Sequence, residues 1–292
     1  MTTFIDYLLG GFSNGAVIAL MAIALVLVWR STRMVNFAQV GQAMFTTYIA
    51  LTVQQQTGNW LLALVVAIAS GVVLGVIVFF LVIRPVKNSD STGAIIATFG
   101  VLIALQAGAG MIWGGDPEGF VTPVDNAGLE IGGRIWPISL YDILVLVVTA
   151  ALVIGLTLLF TKTALGLSMR ASAFNPEVAR LSGVRVSRML ITGWAIAGGV
   201  GAVAGILVAP LSTVSPTSFD ILLVFAFTAA VIGGLDSLVG AVTFGLGTGL
   251  IISLISGYSD SSNAPVVALI LLALNLLLKP DGVFSHHGSR SV

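Results

Sequence analysis

Long apolar runs dominate this chain, and short polar intervals separate them. Leu61–Ile83 and Tyr141–Phe160 each reach the ~20 apolar residues that cross a bilayer core. Hydrocarbon offers no partner to a backbone N–H or C=O, so each such run is predicted to be a helix. The pattern gives apolar segments at 4–29, 36–53, 60–83, 94–113, 139–160, 189–211, 219–235, 238–257 and 264–279. The expected fold class is all-α, a polytopic transmembrane helical bundle of eight or nine membrane segments. Regions 36–53 and 219–240 contain Asn, Gln or repeated Gly, and either is a candidate for a broken or re-entrant segment.

The intervals sort by charge, and Lys and Arg favour the cytoplasmic side. Arg30 and Arg33 follow the first segment, Arg84 and Lys87 the third, and Lys279 and Arg290 the last. Lys162, Arg170, Arg180, Arg185 and Arg188 follow the fifth. Intervals 54–59, 114–138, 212–218 and 258–263 hold almost no base; 114–138 sets Asp116, Glu118, Asp125 and Glu130 against Arg134. The alternation predicts an N-terminus outside and a C-terminus inside. Met1–Asp6 shows neither a positive n-region nor a small-residue cleavage site, so the first helix is expected to insert and stay.

Composition sharpens this picture. Only 8% of residues are charged, against roughly 25% in soluble domains, and mean hydropathy is +1.09. There is no cysteine, which removes disulfides, thiolate chemistry and Cys-held metals. Net charge is zero, and no basic tract points to nucleic acid. Several of the 34 glycines recur at four-residue spacing: Gly11/Gly15, Gly71/Gly75, Ala197/Gly201/Gly205 and Ala241/Gly245/Gly249. Helices in lipid associate through close backbone approach, which small residues permit. Gly201, Gly205, Gly233, Gly234, Gly245 and Gly249 are therefore candidates for packing seams or hinges. No internal repeat stands out.

The stretch FNPEVARLSGVRVSR, residues 174–188, concentrates polarity in an otherwise nearly uncharged chain. Asn175 suits an N-cap, and Pro176 the first helical position, where its missing N–H costs nothing. Glu177 complements the helix dipole, and Gly183 supplies a stop. A helix of about two turns over Pro176–Ser182 is predicted, with Val178 and Leu181 on one face. So short a helix is marginal in water by itself. The residues alone leave two readings: a solvated connector whose arginines set topology, or a docking helix for a soluble partner.

Glu177-Val178-Ala179 followed by Gly183 resembles the E-A-A-x3-G loop of bacterial ABC importer permeases, with Val178 where the first alanine stands. Leu165–Ala171, Ala197–Gly205, VNFAQ (Val35–Gln39) and AAVIGGLDSLVGAVTFGLGTGL (Ala229–Leu250) narrow the resemblance to the branched-chain amino acid permease family, over most of residues 10–280. Members often continue the NFAQ-type motif with Gly-Glu; here Val40-Gly41 follows, so a polar role there is not carried over. The resemblance implies one permease domain over 1–284 with a coupling loop at 161–188 and a polar tail at 285–292. It further implies a bacterial inner-membrane location, two ABC ATPase subunits, a second related permease, and a periplasmic or lipid-anchored binding protein. Glu177, Ala179, Arg180, Leu181 and Gly183 are the residues expected to seat in the ATPase, small Ala179 lying close to the groove wall.

No G-x4-G-K-[ST] phosphate loop and no H-E-x-x-H occurs. His286 and His287 lie in the tail, and no cofactor is expected. Polar groups within membrane segments usually face a bundle interior. Asn36, Gln39 and Gln42, spaced by three, form a stripe that would line a translocation path or lock helices together. Gln106, Asn14 and Asn275 are scattered singles. Asp6, Asp142 and Asp220 fall near predicted segment ends and Asp236 in a polar break, so no carboxylate is expected in mid-span. That argues against a proton-coupled carrier. A secondary carrier or channel and an intramembrane enzyme are the competing classes; no nucleophile–base pair supports the enzyme. Among substrates, the resemblance favours leucine, isoleucine and valine, with urea or short-chain amides as the alternative.

Overall fold

The computed structural model of this chain describes residues 2–86 and 91–284; Lys87 and the tail 285–292, with His286, His287 and Arg290, lie outside the described residues. Helix α1 (Thr2–Thr32) is apolar on every side, the pattern of a helix enclosed by others rather than one facing lipid. Its residues 16–28 are all 4% exposed or less. After a turn at Arg33 come α2 (Gln39–Thr57) and α3 (Trp60–Val78). The latter widens into a π-helical turn, Phe79–Ile83, before one short α-turn, α4 (Arg84–Val86). Pro85 accounts for the widening, because its ring clashes with the carbonyl four residues back in a regular helix. Helix α5 (Ser91–Trp113) follows.

A hairpin of β1 (Gly128–Ile131) and β2 (Arg134–Ser139) interrupts the interval 114–138. Its turn, Gly132-Gly133, has φ of 65° and 77°, the double positive φ a two-residue hairpin requires. Then come α6 (Leu140–Lys162), α7 (Ala164–Phe174), α8 (Pro176–Leu181) and α9 (Val186–Val208). Helices α10 (Asp220–Gly233), α11 (Leu238–Tyr258) and α12 (Ala264–Leu278) complete the bundle. Asp142 near the start of α6 completes a capping box with Ser139.

Two helices are central. α1 packs on α11, α9, α10 and α6, while α9 packs on α3, α1 and α2. The small residues make this possible. A Cβ on Gly15 would stand 2.8 Å from the Leu246 Cα, and one on Gly249 would strike Gly15 itself. Gly245 lies on Ala19, so α1 and α11 run antiparallel with their backbones touching. Gly71 and Gly75 of α3 meet Gly198 of α9 in the same way. Around this core, α3, α5, α6 and α12 turn apolar side chains such as Val73, Ile103, Val147 and Leu277 outward.

Among the described residues, seven helical stretches are long and apolar enough to cross a membrane: 4–32, 60–86, 92–113, 140–162, 186–211, 238–258 and 261–278. The other two apolar segments of the sequence, α2 and α10, are the two flagged for polar or glycine content. Both begin inside the bundle. Gln39, the first residue of α2, bonds to Ala197, the twelfth of the 23 residues of α9. Asp220, the first residue of α10, bonds to Gln106 of α5, and its 14 residues span about 21 Å, short of a ~30 Å core.

The ends of the bundle differ in charge. Arg33 meets Asp236, Arg30 lies over Phe160 beside Lys162, and Lys279 reaches Val283 next to the end of α10. The opposite end carries Glu118, which pairs with Val214, and the acidic interval around the hairpin. Gly249→Val should separate α1 from α11 and lower stability by about 1–3 kcal/mol or more, seen as an earlier thermal unfolding in detergent. Gly247→Ala, with nothing within 4 Å of its added carbon, should not lower the melting temperature, since alanine is the better helix former.

Candidate functional site

The first group of candidate residues lies where α2 starts at mid-depth. Asn36 precedes the helix, and its Oδ1 accepts from the Ala38 N–H at 3.1 Å, a local turn that folds the chain back into the bundle. Asn36 Nδ2 donates to Gln39 Oε1 at 3.0 Å, and Gln39 Nε2 donates to the Ala197 carbonyl, also at 3.0 Å. Gly201 supplies the room for the Gln39 amide, and Gly205 receives Thr47. Asn36 and Gln39 are both fully buried. Gln42, 1% exposed, differs: neither its amide oxygen nor its nitrogen has a partner. The three-residue stripe thus separates into a hydrogen-bonded pair that ties α2 to α9 and one unpartnered amide a turn further along.

The second mid-depth helix start changes one sequence expectation. Asp220 does lie at a segment end, but that end is inside the bundle. Gln106 Nε2 donates to Asp220 Oδ1 at 2.8 Å, and Gln106 sits seven residues, about 10 Å, inward of Trp113. A carboxylate therefore sits within the depth of the bundle, contrary to the expectation of none. The repeated glycine marks 219–240 as irregular but does not say at what depth α10 begins, and α10 is a part-length helix. Phe37, just before α2, lies 4.6 Å from the Phe99 ring of α5 and 5.6 Å from Phe227, the eighth residue of α10.

The third group is α8 and its flanks, with a geometry close to the one expected. Asn175 Oδ1 accepts from the N–H groups of Glu177 and Val178, each at 3.1 Å. At the other end Gly183 has φ 83°; its N–H donates to Arg180 and that of Val184 to Ala179, the paired bonds of a Schellman stop. Ala179 departs from expectation. It is 3% exposed, turned onto its own chain rather than offered to a groove wall. The exposed apolar side chains are Leu181 at 89%, Phe174 at 92% and Val178 at 56%. Glu177 and Arg180 are exposed as well.

Helix α7 was not foreseen in the interval 161–188. Thr163 caps it by accepting from the Gly166 N–H at 3.1 Å, and Gly166 lies against the Phe160 backbone. Its inward residues, Gly166, Met169 and Ser172, recur every three, the signal that could have revealed it. The hinge candidates also divide. Gly233 meets Gly240 across the α10–α11 corner, while Gly234, with φ 95°, is approached by Gly282.

This is a multi-pass helical membrane protein with two part-length helices and a capped loop helix at its basic end. Residues 7–278 match the family model of the branched-chain amino acid transport system permease component, and the chain belongs to that family of ABC transport permeases. A probable branched-chain amino acid transport permease LivH of Methanocaldococcus jannaschii is 30% identical, the alignment covering 93% of this chain and 89% of that protein. The high-affinity branched-chain amino acid permease LivH of Escherichia coli K12 is 28% identical over 96% and 95%. The fructose import permease FruF of Bifidobacterium longum is 27% identical over 75% of this chain and 62% of that protein.

Gln39→Leu should leave the buried Asn36 amide without its acceptor and remove the tie from α2 to the Ala197 carbonyl of α9. Such a loss costs about 1–3 kcal/mol, measurable as a lower melting temperature of the purified chain; an unchanged melt would show that this tie is dispensable.

Proposed function

We propose that this chain is the membrane-spanning subunit of an ABC importer for branched-chain amino acids, in the cytoplasmic membrane of a bacterium. The observation that carries the reading is α8. It is a rigidly capped helix with large apolar side chains exposed at the basic end of a membrane bundle. Such a surface has a use when a soluble subunit covers it. The basic end is cytoplasmic by the positive-inside rule, which puts α8 on the side where ATP is available. Separate ATPase subunits supply the energy, a second permease completes the path, and an extracytoplasmic binding protein delivers substrate at the acidic end. The branched-chain amino acid names of the two full-length relatives support that substrate class.

In this scheme Leu181, Val178 and Phe174 are the apolar anchors, with Glu177 and Arg180 as polar rim. Ala179 and Gly183 act indirectly, by holding the helix against the bundle and ending it. Gln42 and the Gln106–Asp220 pair are the translocation-path candidates, and Asn36 and Gln39 set where α2 begins. Gly201 and Gly205, filled by Gln39 and Thr47, and Gly245, against Ala19, act as packing contacts that fix helix positions.

The test is co-purification and uptake with the assembled complex. Leu181→Glu should reduce both ATPase retention and uptake about tenfold or more, the loss expected of a buried interface anchor. Gly183→Val should act similarly through strain of about 1–3 kcal/mol at its left-handed backbone. Full retention and normal uptake in both would refute coupling through α8. Gln42→Leu should lower uptake without lowering the melting temperature, because it removes an unpartnered buried amide; normal uptake would take Gln42 off the path.

Orientation has its own test in this cysteine-free chain. Asn126→Cys and Ser187→Cys both place a thiol at an exposed position. An impermeant thiol reagent should label the first and not the second in intact cells. The reverse pattern would invert the orientation.

A further inference from the structure

The basic end holds a cavity of about 610 Å³, which shares only Phe174 with the proposed coupling surface. Arg30, Arg33 and Arg170 line it, with Asp236 the one acid. Arg33 ion-pairs with Asp236 at 2.6 Å. Arg30 lies 5.2 Å from the Phe160 ring centroid, and Arg170 makes no ion pair or hydrogen bond among the described residues. Arg33 and Arg170 are each near enough to Arg30 for their charges to act on it, and all three line the same cavity. Like charges held together with one acid between them favour an anion, and arginine forks fit phosphate oxygens.

The rest of the wall is apolar, and it continues. A second cavity of about 120 Å³ shares Thr157, Leu238 and Val239 with the first. It runs inward between α1, α6 and α11 to Ile23, Val153 and Val242, with no charged residue in its lining. Ile23 lies seven residues, about 10 Å, deeper than Arg30. A cationic mouth opening into an apolar groove matches an amphiphile, whereas a free phosphate has no use for the groove.

We infer that the two cavities form one binding site for an anionic phospholipid of the inner leaflet. Arg30 and Arg170 hold the headgroup phosphate, and one acyl chain lies in the groove of α1, α6 and α11. Basic pockets between transmembrane helices on the cytoplasmic side are suited to such headgroups. The leaflet assignment rests on the orientation proposed above, which the cysteine labelling reads independently; lipid retention does not depend on transport.

Native mass spectrometry of the purified complex, with phosphatidylglycerol or phosphatidylcholine of matched chains added back, tests the site. Phosphatidylglycerol should be retained over phosphatidylcholine. Arg170→Gln, a change on an exposed face of α7, should cut retention roughly fivefold, and Arg30→Gln with Arg170→Gln roughly 30-fold. Val239→Trp should also reduce it with every arginine intact, by filling the groove. Inorganic phosphate should not displace the lipid. Displacement by phosphate together with full retention in Val239→Trp would assign a free-anion site instead. Equal retention of both lipids by the wild-type chain and all three variants, with unchanged melting temperatures, would overturn the proposal.

Discussion

Helices immersed in lipid gain little from burying leucine against leucine, because the surrounding tails are as apolar as the side chains. What holds this bundle is the approach of backbones at glycine. Gly11, Gly15, Gly245 and Gly249 bring α1 and α11 into contact, and Gly71, Gly75 and Gly198 do the same for α3 and α9. Two seams on the two central helices fix the positions of the rest. They also explain how α1 is enclosed through its middle without polar residues to anchor it. Its own side chains, from Ala16 to Val28, are held at a packing distance set by backbone rather than by their own volume.

The second face of α9 shows the same device used for a different end. Gly201 and Gly205 leave space that the polar side chains of α2 occupy, so Gln39 reaches a carbonyl on a transmembrane helix. That carbonyl already belongs to the ladder of α9, and the extra donor costs the helix nothing. A buried amide is tolerable in a membrane only when partnered, and Asn36 and Gln39 meet that condition together. Gln42 does not, and this difference separates a fastening from a candidate for contact with a passing solute. Asp220 is intermediate, held by Gln106 yet located at a helix start where the chain changes direction.

Much of this was legible from the chain. Seven apolar runs appear as long helices, and the two regions marked by Asn, Gln and Gly are the two that begin within the bundle. The bounds of α8 followed from Asn175, Pro176 and Gly183, because caps act locally and their chemistry is written in adjacent residues. Long-range facts were less accessible. Nothing local says that Ala179 turns inward, since a six-residue helix of mixed character has no clear face until α7 packs beside it. The depth of Asp220 depends on where α10 starts relative to α5, more than a hundred residues away in sequence. The hairpin turn at Gly132-Gly133 carried its signal openly, but charge balance drew the reading of that interval toward topology.

The corner between α10 and α11 gathers both extremities of the chain. Arg33, a non-glycine residue with φ 57°, reaches Asp236 from the end of α1. From the far end of the sequence, the N–H groups of Val283 and Phe284 donate to the carbonyls of Ile232 and Gly233, which the end of α10 would otherwise leave open. Gly282 also nests against Gly234. The segments that follow the first and the last helix are thus both fastened to one short helical corner. A shift of that corner is mechanically shared by Arg33 and Val283, 250 positions apart in the chain.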